Sequence, residues 1–177
     1  MDLLKGLLYT LSRIGLMILL AVFSGFFGAV LVPSLMTFLP YSMIDVKNFF
    51  ISPTTCSVLG MIIVAAAFAV IFYTDGKKHA AYENWSAVNI TAVLLIMLFV
   101  YFVPAIFRDS FNAEGKAKLF YKILYYPCGW LYNSLNVNFL VSVVVGMGII
   151  LFVSLIMYVI SFRIYVKKHP SILHDMK

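Results

Sequence analysis

The chain is poor in charge and poorest in acid. Of its 177 residues 11% are charged, with 7 Asp and Glu against 13 Lys and Arg, where a soluble domain carries about a quarter. Together with 63% hydrophobic residues, that shortage excludes a water-soluble globular chain and makes lipid the solvent. Cysteine is nearly absent. Cys56 and Cys128 are too few for a disulfide scaffold and are not spaced as metal ligands. The three histidines, His79, His169 and His174, lie beside hydrophobic runs without an HExxH or similar pattern. No metal or cofactor is expected. The net charge of +6 comes from short basic groups flanking apolar runs, which suits topology and lipid headgroups. It leaves no solvated basic groove for nucleic acid.

What is present is four charge-free runs: Ile14 to Tyr41, Asn48 to Thr74, Asn84 to Phe107, and Ile123 to Phe162. Because backbone polar groups in hydrocarbon must pair internally, these runs read as helices, and the alternation of a barrel strand is missing. The expected fold is an all-α integral membrane protein, one domain over 1–177. It is an antiparallel four-transmembrane-helix bundle with spans of about 14–39, 54–73, 85–107 and 137–165. The last run is long enough for a span and more, so its first part (123–136), with Pro127 and Gly129, is expected as an interfacial or re-entrant segment.

Local signals fill in this outline. Leu3, Leu4, Leu7, Leu8 and Leu11 form one stripe opposite Asp2, Lys5, Tyr9, Ser12 and Arg13. Either a surface helix or an extension of the first span satisfies that spacing. Pro33 predicts a kink toward the far end of span one. Ser52-Pro53 marks a helix start, and Asp75-Gly76, followed by Lys77, Lys78 and His79, predicts a turn joining spans two and three as a hairpin. The third loop predicts an amphipathic helix in the membrane surface, within an interfacial segment of about 112–136. There Asn112 caps, Lys118 and Lys122 reach headgroups, and Leu119, Phe120 and Ile123 face acyl chains.

Chemistry is the hardest thing to find. Within these span limits no Asp, Glu, Lys, Arg or His precedes Arg163, which argues against a proton-coupled pump, an intramembrane protease and a charge-selective pore. An enzyme would have to use loop residues such as Asp45, Asp109, Glu114 or a histidine, so a non-catalytic chain is expected. Ala21, Gly25 and Ala29, Ser24 with Gly28, and Ser142 with Gly146 are small-xxx-small repeats suited to close helix contacts. Pro33, Pro104, Asn133, Asn136 and Asn138 fall on one side of the membrane and are expected to form an outward recess. Cys56 and Cys128 share that side, as a disulfide or as two thiols. Eight Lys and Arg against five place both termini inside a cell (inner or plasma) membrane.

The function expected is that of a multi-pass protein acting through protein–protein contacts in the membrane, as an accessory or assembly subunit or a small protective protein. Its partners would be lipids and another integral membrane protein or a second copy. The alternative is a small transporter or channel subunit for a neutral or lipidic solute.

Overall fold

The computed structural model describes residues 3–81, 87–107 and 122–169. Its elements there are helical, with no strand among the described residues. Four stretches are long and apolar enough to cross a bilayer: Leu4–Met36, Pro53–Ala81, Val88–Ile106 and Phe139–Lys168.

The first stretch is composite. Helix α1 (Leu3–Phe26) runs into a π-helical turn, Phe27–Leu31, and then into α2 (Val32–Met36). Pro33 lies in the first turn of α2, and a proline there cannot supply an amide to the carbonyl one turn back. The chain widens just before it, with the Val32 amide reaching back to Phe27, so the expected kink is taken up as a π turn. Residues 3–13 belong to the same continuous helix. Of the two placements the sequence left open, the extended span is the one observed.

A 3-10 turn at Tyr41–Met43 leads to α3 (Ile44–Ile51). Pro53 then opens α4 (Pro53–Ala81), and the Ser52 carbonyl accepts the Cys56 amide at 3.0 Å. Here the structure corrects the sequence reading, because α4 passes through Asp75 and Gly76 without turning. A Cβ on Gly76 would stand 2.6 Å from the Tyr158 carbonyl oxygen of α7 (Phe139–Lys168). The glycine serves a close approach of two helices. Beside it the Ser161 hydroxyl donates to the Tyr73 carbonyl at 2.5 Å, and the helix continues to Ala81.

The principal partner of α4 is accordingly α7, while α5 (Ala87–Ile106) packs on α7 and α1. Helices α4 and α7 run parallel: their first turns border the 3-10 turn at Tyr126–Cys128, and their later turns meet at Gly76 and Tyr158. Between the helices Met17, Phe68, Phe72, Ile90, Met97, Met147 and Ile150 are buried. Leu19, Phe23, Val70, Leu95, Phe99 and Phe152 face outward, as expected where lipid is the solvent.

Gly76→Ala is expected to destabilise the protein by about 1–3 kcal/mol, since the added methyl meets a backbone oxygen rather than a yielding side chain. Gly60→Ala is the control, because its Cβ would find Ser24 at ordinary contact, 3.5 Å and beyond. Thermal unfolding of both variants in the same detergent measures the difference.

Candidate functional site: two polar junctions

At the end where α1 begins and α4 and α7 finish, polar side chains converge between helices. Tyr9 and Arg13 stand one turn apart on α1, and Asp75 and His79 one turn apart on α4, so each pair shares a face. Arg13 Nη2 donates to Asp75 Oδ1 at 2.7 Å and the Tyr9 hydroxyl to Oδ2 at 2.7 Å. His79 Nδ1 lies 3.1 Å from the Tyr158 hydroxyl of α7, and its ring meets the edge of Tyr9. Asp75 is 3% exposed.

The expected limits of span two held no ionisable group, but α4 continues past Tyr73 and carries Asp75 and His79 between the helices. One local signal misled the sequence reading, the Asp-Gly pair taken as a turn that ended span two early. On α1, Leu4, Leu7, Leu8 and Leu11 face outward, while Tyr9 and Arg13 turn into the bundle. A carboxylate taken out of water is strongly disfavoured unless paired and hydrogen-bonded, and Asp75 is met by one cation and one hydroxyl. At about 1.5 Å per residue, Asp75 lies about 33 Å along α4 from Pro53. That length is close to the thickness of a hydrocarbon layer, about 30 Å.

At the opposite end the chain between the third and fourth spans folds inward. Leu124, Tyr125, Tyr126, Pro127 and Cys128 are buried against α1, α4, α5 and α7. The Tyr101 hydroxyl of α5 donates to the Leu124 carbonyl, and the Tyr125 hydroxyl returns a bond to the Tyr101 carbonyl at 2.9 Å. Tyr126 donates to the Gly28 carbonyl at 3.2 Å, and Ser57 to the Tyr126 carbonyl at 2.5 Å. The glycines of the small-residue repeats receive this wedge. A Cβ at Gly25 would strike the Ile123 carbonyl, one at Gly28 the Tyr126 ring, and one at Gly146 would crowd Cys128 at 3.0 Å. Spacing located these residues but not that Gly25, Gly28 and Gly146 would receive this segment, while Ser24 faces Gly60 of α4 as a helix contact.

The other residues singled out from the sequence are dispersed. Pro33 is half-buried in α2, and Pro104 is exposed near the end of α5. Asn133 lies exposed on α6 (Trp130–Leu135), and Asn136 follows it in the left-handed region at φ 51°. Asn138 caps α7, its Oδ1 accepting the Leu140 amide at 2.9 Å. Lys122 is exposed and Ile123 half-buried, whereas Lys118, Leu119 and Phe120 lie outside the described residues. Cys56 and Cys128 are free and buried, the Cys56 thiol donating to the Phe50 carbonyl at 2.7 Å. No group of three His, Cys, Asp or Glu comes together among the described residues. Protein-family models, curated proteins and solved structures give no match to this chain.

Two outcomes follow from this geometry. Asp75→Ala should cost about 3 kcal/mol in detergent unfolding, most of it from stranding Arg13. Combining it with Arg13→Met should recover more than half of that loss. Native protein treated with a membrane-permeant maleimide should gain no mass, while the denatured chain gains two adducts by intact-mass measurement.

Proposed function

We propose that the protein acts without catalysis inside a membrane, as an accessory, assembly or protective subunit that binds another membrane-inserted chain, with both termini on the cytoplasmic side. The observation that carries this reading is how the polar groups between the helices are used. Asp75 is engaged by Arg13 and Tyr9, His79 by Tyr158, Ser57 by Tyr126, and Tyr101 and Tyr125 by one another. With large apolar side chains filling the remainder of the interior, contact surfaces are what the chain has left to offer.

The loop end is the side favoured for recognition. Phe38 and Tyr41 are 85% and 86% exposed there, and Phe49 and Leu135 lie well out of the core. Such aromatic and apolar groups suit a desolvated protein contact better than open water, and the exposed Asn133, Asn136 and Asn138 add hydrogen-bonding groups.

A lipidic-solute carrier is the second reading, and one feature favours it. A groove of about 400 Å³ on the outward face of α5 is lined by Val88, Thr91, Ala92 and Leu95. Its mainly apolar lining suits an acyl chain lying against the helix.

Affinity purification from native membranes in mild detergent separates these readings. Phe38→Ser with Tyr41→Ser and Phe49→Ser, or Asn133→Ala with Asn136→Ala and Asn138→Ala, should release a stoichiometric membrane partner while the purified protein stays folded. Full retention of that partner by both variants would sink the contact reading. Saturable lipid transfer between vesicles by the purified protein alone would establish the carrier instead.

A further inference from the structure

Helices α4 and α7 are free of Asp, Glu, Lys and Arg from their first residues to Thr74 and Phe162. Beyond those points both turn basic, with Lys77 and Lys78 on α4 and Arg163, Lys167 and Lys168 on α7, all exposed. None of these five has an acidic partner among the described residues, where Asp75 is committed to Arg13. Packing makes the two basic ends one surface. Gly76, next to Lys77, admits the Tyr158 carbonyl, and the Ser161 hydroxyl, two residues before Arg163, donates to the Tyr73 carbonyl. The last turns of both helices are thereby held side by side.

Two features distinguish this surface from a solvated run of charge. The Lys77 ammonium lies 4.7 Å from the centroid of the Tyr73 ring, a cation–π contact that holds it one turn back toward the apolar stretch instead of out in water. Apolar side chains continue the same faces below the cations. Val70 lies two turns before Lys77, and Ile160 and Ile164 precede Lys167 at helical spacing, all three exposed. A rim of cations above an apolar floor matches the division of a phospholipid into charged headgroup and acyl chain.

We propose that the α4–α7 surface formed by Lys77, Arg163, Lys167 and Lys168 binds an anionic phospholipid, its headgroup on the cations and its acyl chains against Val70, Ile160 and Ile164. A zwitterionic headgroup carries an ammonium of its own, which offsets the attraction of its phosphate. A headgroup with net negative charge has no such offset, so the surface selects by charge. The groove on α5 is a separate feature, lined by Val88, Thr91, Ala92 and Leu95 without a cation. This inference does not rest on the partner reading above, because a bound lipid is read directly by its mass.

Native mass spectrometry of the full chain, purified in detergent and offered equal amounts of phosphatidylglycerol and phosphatidylcholine with the same acyl chains, supplies the test. Phosphatidylglycerol adducts should outnumber phosphatidylcholine adducts by at least about fivefold. Joining Lys77→Gln, Arg163→Gln, Lys167→Gln and Lys168→Gln in one variant should bring that ratio close to one. Lys47→Gln with Lys122→Gln, at the opposite end of the bundle, should leave it unchanged. A ratio near one in the native protein, a preference that survives the four substitutions, or one lost equally in the Lys47 and Lys122 variant would overturn the proposal. If the fourfold variant does not fold, Lys167→Gln with Lys168→Gln replaces it, and an undiminished ratio there would overturn the proposal as well.

Discussion

A carboxylate among helices in a lipid-solvated chain cannot be left without a counter-charge, and the arrangement of the first helix follows from meeting that demand. The cost of desolvating an ion is several kcal/mol even after relaxation, so Asp75 requires a cation brought to it by a different element. Arg13 meets the need, and Tyr9, one turn earlier on the same face, fills the second oxygen. The leucines of α1 are thereby turned outward. In water that orientation would be costly. In a bilayer, apolar side chains lose little by facing acyl chains, so the polar stripe decides which face is inside.

The opposite end rests on a second form of the same requirement. A chain that folds back among helices carries carbonyls and amides for which hydrocarbon offers no partners. The Tyr101 hydroxyl and Ser57 cap the Leu124 and Tyr126 carbonyls, and glycines at 25, 28 and 146 remove the side chains that would hold the segment off. The π turn at Phe27–Leu31 falls within this contact and supplies the Gly28 carbonyl to Tyr126. Local irregularity in α1 and burial of the wedge are thus two aspects of one packing arrangement.

How much of this was legible differs from element to element. Four apolar runs declared four helices, because in lipid a charge-free run of sufficient length has one stable form. Pro127 and Gly129 marked a break at membrane depth, though not its depth of insertion. The Asp75-Gly76 pair was misread for a physical reason: the same dipeptide serves a turn in water and a helix crossing where glycine admits a neighbouring backbone. A four-residue repeat, Tyr9 with Arg13 and Asp75 with His79, was present in the sequence as a sign that both pairs lie on helix faces. What could not be read was that the two faces oppose each other, since that depends on how α1 and α4 pack, which neither helix declares alone. Of the asparagines expected at an outward recess, Asn138 caps a helix and Asn136 occupies a left-handed position.

The two polar junctions differ in what they allow. The wedge is fastened by several bonds to the first helix, α4 and α5, and any single one lost leaves the others in place. The cluster at the other end gathers a carboxylate, a guanidinium and a hydroxyl at one point between α1 and α4, with the His79 imidazole reaching Tyr158 of α7. A buried ion pair can be broken only by stranding a charge, so the two ends hold by different physics, one by several neutral bonds and the other by opposite charges held out of water.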